Sequence, residues 1–117
     1  MGESYRNVFE KELIRFKLFD IVLEAPWRLV HEDEKAGLVK ELRKELNDDH
    51  VLKNVFVRAI ARSDASDDVL FELEGDEYTF AQVHLTWSGK QEQLKYPKTK
   101  IYNNIDEWLA ATKPIID

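Results

Sequence analysis

One histidine and two arginines occupy alternating positions of segments that have the pattern of β-strands. Together with a glutamate and a threonine they form a candidate ligand-binding or proton-transfer face: Arg58, Arg62, Glu72, His84 and Thr86. An arginine on such a face can bind an anion, and a histidine, with an unperturbed pKa of about 6.5, can transfer a proton near neutral pH. An ordinary outer sheet face has the same composition, because cross-strand ion pairs there contribute roughly 0.2–1 kcal/mol each. The residue types alone favour this second interpretation.

The turns between the same segments are acidic. Residues 54–90 contain three basic and seven acidic side chains, in a chain whose formal net charge is −6. An acidic surface accelerates docking to a cationic protein, although it also serves solubility alone. The candidate partner-binding residues are Asp64, Asp67, Asp68, Trp87, Ser88 and Lys90.

No spacing in the chain predicts a metal or nucleophile site. The three histidines lie far apart in sequence, and the aspartates of residues 64–68 lack the glycine and the other ligands of a calcium loop. The absence of cysteine excludes disulfides, thiol nucleophiles and thiolate zinc sites. The net charge opposes nucleic-acid binding, although three lysines are interspersed with two tyrosines in residues 95–102. We therefore expect no cofactor, no metal and no nucleic-acid partner.

Length and composition predict a single α+β domain over residues 1–117. Apolar residues make up 44% of the chain and charged residues 34%, which is enough for one core. The uncharged apolar runs are far shorter than the ~20 residues that a membrane span needs. The first residues also lack the basic start and apolar stretch of a secretory signal. We expect a cytoplasmic protein that does not bind membranes.

Two N-terminal helices are predicted from apolar residues at three- and four-residue spacings. The first covers residues 4–24, before Pro26, although residues 19–24 are also compatible with an extended segment. The second begins at Glu32 or Asp33 and continues to Leu46, with acidic residues at its start and basic residues towards its end.

Three strands and a last helix follow. A period of two, which places apolar side chains on one face of each segment, predicts strands at residues 55–62, 69–74 and 78–87. They are predicted to be joined as an antiparallel meander. Ile101 and Tyr102 have the pattern of a short extended piece before a C-terminal helix capped by Asn104. The predicted order is ααβββα. One shared apolar face is expected to pack against the helices: Val55, Val57, Ala59, Ala61, Val69, Phe71, Leu73, Ala81, Val83, Leu85 and Trp87.

The most distinctive stretch is Ala81–Lys90, a strand that ends in an aromatic residue and opens into Ser88-Gly89-Lys90. Together with residues 67–71, 96–99 and 107–108, it resembles the C-terminal half of a group of small bacterial proteins that share a DDVLF, VHLTWSGK, YPKT and EW pattern. The resemblance covers roughly half of the chain. It implies no activity, cofactor or site residue.

The sequence favours a non-enzymatic binding module that engages a cationic protein, in the manner of a bacterial immunity or inhibitor protein. The reasons are the small size, the net charge of −6 and the absence of a compact catalytic signature. A small-ligand or enzymatic site around His84, Arg58 and Arg62 is the alternative. A third interpretation is a homo-oligomer that associates through the first predicted helix. The sequence does not decide the oligomeric state.

Overall fold

The computed structural model of the protein describes residues 23–75 and 79–112. The elements in chain order are β1 (Trp27–Leu29), α1 (Glu32–Glu45), β2 (Val57–Ser63), β3 (Asp68–Leu73), β4 (Thr79–His84), β5 (Lys98–Tyr102) and α2 (Ile105–Thr112). The strands form one antiparallel sheet in the order β1-β2-β3-β4-β5. Within the two described ranges, neither helix is long and apolar enough to span a membrane.

The predicted ααβββα order is wrong, because the sheet has five strands instead of three. β1 pairs with β2, and β5 pairs with β4. β1 has only three residues, too few for a visible alternation, and lysines occupy two of the five positions of β5. One helix, α1, lies near the N-terminal end of the described chain, and α2 lies at its C-terminal end. Most of the first predicted helix, residues 4–22, lies outside the described residues, and residues 23 and 24 are not helical.

The two helices pack on opposite faces of the sheet. The α1-side core contains Val30, Leu38, Leu42, Leu46, Leu52, Ala59, Val69, Phe71, Ala81, Val83 and Leu85. The α2-side core contains Ala61, Leu70, Phe80, Tyr102 and Trp108, with Trp27, Ile60 and Ile105 packed against it. The polar face predicted for the sheet is therefore covered in part by α2.

A β-bulge in β2 changes which side chains face α1. Ala59 pairs with Phe71, whereas Ala61 pairs with Leu70, so one extra residue lies between the two pairs. Side chains alternate between faces along a strand, and an extra residue reverses that alternation. Ala61 consequently joins the α2-side core, and Arg62 is turned towards α1.

Arg62 meets a carboxylate at the start of α1. Oε2 of Glu34 lies 3.0 Å from Nη1 of Arg62, and Oε1 lies 2.8 Å from Nη1 of Arg28. Oε1 also accepts the backbone N–H of His31 at 2.9 Å, which caps the helix. The hydrogen bonds from Arg28 and from the His31 backbone lower the pKa of Glu34 to about 2. Glu34 thus joins α1 to the edge of the sheet formed by β1 and β2.

Glu34→Gln is expected to lower the free energy of unfolding by about 1–2 kcal/mol at pH 7, because the two arginines lose their shared carboxylate. The pKa of Glu34 is lower in the folded than in the unfolded state, so its stabilisation is complete above pH 4.5 and disappears as the pH falls towards 2. The difference in the free energy of unfolding between parent and variant should therefore become smaller as the pH falls from 4.5 towards 2. Urea unfolding at several pH values measures it.

Glu32→Gln is the control for this prediction. Glu32 belongs to the same first turn, but its side chain is 89% exposed and forms an ion pair with Lys35 at 2.9 Å. We expect a loss below about 0.5 kcal/mol. Equal effects of the two substitutions would contradict the role of Glu34 at the sheet edge.

Candidate functional site

The loop that follows β4, residues 86–90, is anchored by a carboxylate of α1. Glu45 has no exposed surface and lies on the same stripe of α1 as its core leucines. Its Oε1 accepts the backbone N–H of Thr86 at 2.8 Å, and its Oε2 accepts that of Trp87 at 2.9 Å. The last residue of α1 therefore fixes the conformation at the start of the loop.

A second carboxylate, one turn earlier in α1, holds the other end of the loop. Oε2 of Glu41 accepts the backbone N–H of Gly89 at 3.0 Å. Gly89 has a φ of +70°, a conformation that glycine adopts readily. Burial, and then a hydrogen bond with the side chain of Glu41, raise the pKa of Glu45 to about 7. The two glutamates therefore form a carboxyl pair beneath the loop.

The two hydroxyl groups of the loop form hydrogen bonds within it and to Glu92. The Thr86 hydroxyl donates to Oε2 of Glu92 at 2.6 Å, which lowers the pKa of Glu92. The same hydroxyl accepts the backbone N–H of Ser88 at 3.3 Å, and the Ser88 hydroxyl donates to the carbonyl of Lys90 at 3.0 Å. Thr86 and Ser88 thus contribute to the shape of the loop.

Trp87 projects from this loop. Its φ is +57°, in the left-handed region that costs a non-glycine residue about 1–2 kcal/mol. Its side chain is 47% exposed, unlike the predicted buried position on the apolar sheet face. Trp27 and Trp108 are instead in contact, with ring centroids 5.0 Å apart at an interplanar angle of 87°. Strained residues held by their surroundings concentrate at functional sites, which makes Trp87 a candidate binding residue.

The three candidate aspartates have different surroundings. Asp64 forms an ion pair with Arg28 at 3.0 Å. Oδ1 of Asp68 lies 3.0 Å from Nδ1 of His84. The exposed side chain of Asp67 has no hydrogen bond or ion pair within the described part of the chain, and its carbonyl accepts the Leu85 N–H at 3.1 Å. Asp67 therefore lies next to the 86–90 loop with its charge uncompensated.

The candidate ligand-binding face does not form one site. Arg58 lies opposite Glu72 and forms an ion pair with Glu74 at 2.7 Å. Glu72 is four residues along β3 from Asp68, the cross-strand partner of His84, a separation of about 13 Å. The bulge turns Arg62 to the other face. The structure therefore separates His84 from both arginines.

Two concavities border these residues. An apolar groove of about 870 Å³ lies between α1 and β2, and Arg58 and Glu72 contribute to its lining. A shallow depression of about 410 Å³ lies on the α2 side of the sheet, named here the β4–β5 depression. It is lined by Asp68, Gln82, His84, Lys98, Thr99 and Lys100. Neither lysine belonged to the predicted face.

In residues 23–75 and 79–112, no three histidine, aspartate or glutamate side chains are grouped closely enough to hold a metal ion. Comparison of the chain with protein-family models, curated proteins and solved structures found no match. The candidate site is therefore defined by the geometry of the 86–90 loop and the residues around it.

Proposed function

We propose that this chain is a non-enzymatic protein-binding module that engages a cationic protein, in the manner of an immunity or inhibitor protein, through a surface centred on Trp87. The supporting observation is the half-exposed Trp87 on a loop whose backbone is held by Glu41 and Glu45. Tryptophan is one of the residue types that contribute most to binding energy at interfaces. A loop that is already ordered loses little conformational entropy when a partner binds.

The charges around Trp87 support a cationic partner. Asp67 and Glu92 flank the loop, and Lys90, the one basic residue within it, offsets part of their charge. A basic protein approaches such a surface faster than a neutral one, and salt weakens this attraction. Asp64 and Asp68 are paired within the chain, so we assign the larger share of this attraction to Asp67.

The other two interpretations have less support. A small-ligand or enzymatic site around His84, Arg58 and Arg62 requires these side chains to converge, and they lie on different parts of the sheet. Association through the first predicted helix involves residues outside the described ranges.

Trp87→Ala is expected to weaken partner binding at least tenfold, because truncation of a central aromatic anchor typically costs about 2 kcal/mol or more. The tagged parent and variant are incubated with lysate from the source cells, and retained proteins are identified by mass spectrometry. A basic protein retained by the parent is then purified, and its dissociation constant is measured with each form at low and high salt. We expect tighter binding at low salt.

Phe56→Ala is the matched control, since Phe56 is another exposed aromatic residue, at 69% exposure, outside the loop. The Phe56→Ala variant should bind the partner with the same dissociation constant as the parent. A partner that binds Trp87→Ala and the parent equally would contradict the Trp87 surface. Binding that does not change with salt would contradict the electrostatic part of the proposal.

A further inference from the structure

Four polar side chains from β4 and β5 project from the same surface of the sheet. His84 lies directly opposite Lys98, and Gln82 lies directly opposite Lys100. Side chains at opposed positions of an antiparallel pair point to the same face. These four residues therefore form most of the lining of the β4–β5 depression.

Within the described ranges, neither Lys98 nor Lys100 forms an ion pair with a carboxylate. Nζ of Lys98 lies 5.9 Å from the ring centre of Tyr96, and Nζ of Lys100 lies 5.5 Å from that of Tyr102. Such contacts leave the ammonium N–H groups free to donate hydrogen bonds. Two positive charges therefore lie side by side on a protein whose net charge is −6.

Asp68 is the acidic residue of the depression, and both of its oxygens are already engaged. Oδ1 lies 3.0 Å from Nδ1 of His84, and Oδ2 accepts the Ser66 hydroxyl at 2.7 Å. Because a carboxylate only accepts, Nδ1 of the histidine carries the hydrogen of this contact. The negative charge of Asp68 remains, so with histidine counted as neutral the two lysines and one aspartate give the lining of the depression a net charge of +1.

Gln82 adds a donor to the depression. Its Oε1 accepts the indole N–H of Trp108 at 3.0 Å. This contact fixes the orientation of the amide, so its nitrogen is the group left to bind a ligand. The available groups are thus mostly hydrogen-bond donors, and two of them are positively charged.

We propose that the β4–β5 depression binds a phosphate group, with Lys98 and Lys100 as its principal ligands and Gln82 as a further donor. A phosphate dianion offers three acceptor oxygens and two charges, which match two ammonium groups and an amide. A free phosphate ion and a phosphate monoester share this chemistry. The inference is independent of the proposed function, because Trp87 and the 86–90 loop take no part in it.

The proposal is tested by NMR titration of the parent protein with inorganic phosphate and with O-phosphoserine at constant ionic strength and pH. We expect the ring signals of His84 to shift and saturate, with a dissociation constant in the millimolar range. His31 is the internal reference, since its ring lies beside Glu34 at the β1–β2 edge of the sheet, the edge opposite β5. Tighter binding of O-phosphoserine than of inorganic phosphate would favour a monoester as the ligand, weaker binding would favour the free ion, and equal binding would show that the phosphate group alone is recognised.

The double variant Lys98→Gln/Lys100→Gln should weaken binding at least fivefold. The control, Lys40→Gln/Lys44→Gln, removes the same charge from exposed positions of α1 and should leave the dissociation constant within twofold of the parent. Equal weakening in both variants would overturn the proposal, because it would reflect net charge alone. A shift of His84 that chloride reproduces, or that does not saturate, would overturn it as well.

Discussion

Replacing Trp108 by alanine is expected to lower the free energy of unfolding by about 3–5 kcal/mol, the range for a large aromatic residue removed from a core. Trp108 is 1% exposed and is the one buried residue of the eight-residue helix α2. It packs edge-to-face on Trp27 and donates its indole N–H to Gln82. A loss of this size is a large fraction of the roughly 5–15 kcal/mol that stabilises a typical domain. Urea unfolding followed by circular dichroism measures it.

Trp87→Ala is the control for this experiment, because it makes the same chemical change at a half-exposed position. We expect a loss below about 1 kcal/mol, since surface substitutions rarely cost more. Trp108→Phe retains a ring without the indole N–H and should fall between the two alanine variants. If Trp108→Ala and Trp87→Ala destabilised the protein equally, α2 would not be packed on the sheet as described.

The bulge in β2 shows why the sequence predicted the sheet faces only in part. The alternation of residues 55–62 is regular, and it assigns Arg58 and Arg62 to the same face. The bulge arises from the pairing of β2 with β3. No residue type in β2 predicts it. The strand itself was predictable from its apolar periodicity, whereas the side of the sheet that Arg62 occupies depends on contacts with another strand.

The sequence did not assign the two outer strands to the sheet, and for β5 it indicated only a short extended piece at Ile101 and Tyr102. β1 is three residues long, and β5 alternates two lysines with threonine and isoleucine. Strands at a sheet edge expose one backbone side and tolerate charged residues, so their sequences lack an apolar pattern. Since β5 places Lys98 and Lys100 beside His84, leaving these two lysines out of the sheet also meant missing the β4–β5 depression.

Glu41 and Glu45 were missed because a glutamate in a helix is usually exposed. One signal was present in the sequence: both residues lie three positions after core residues of α1, Leu38 and Leu42. That spacing places them on the buried stripe. Their partners are backbone N–H groups of a distant loop, which no sequence pattern identifies.

Glu41→Gln is expected to make the protein more stable than the parent at pH 8 and to reduce the pH dependence of the free energy of unfolding that the parent shows below neutrality. The pKa of Glu45 is raised from 4.5 to about 7 in the folded state, chiefly by burial. Between pH 4.5 and about 7, Glu45 therefore holds a proton in the folded protein that it has released in the unfolded chain. Stability therefore falls as the pH rises from 4.5 towards 7, by an amount of order 1–3 kcal/mol.

The glutamine amide can donate to the carboxylate of Glu45 while its oxygen still accepts the Gly89 N–H. Glu45 can then ionise more readily, and the proton uptake becomes smaller, although burial still raises its pKa. Urea unfolding at pH 5, 6, 7 and 8 gives the difference between parent and variant, in which the contributions of the histidines cancel.

Glu45→Gln should instead destabilise the protein throughout, because its amide nitrogen would face a loop N–H. If the free energy of unfolding changed with pH as steeply in the Glu41→Gln variant as in the parent, the prediction would be contradicted. The carboxyl pair beneath Trp87 would then not be the group that takes up the proton.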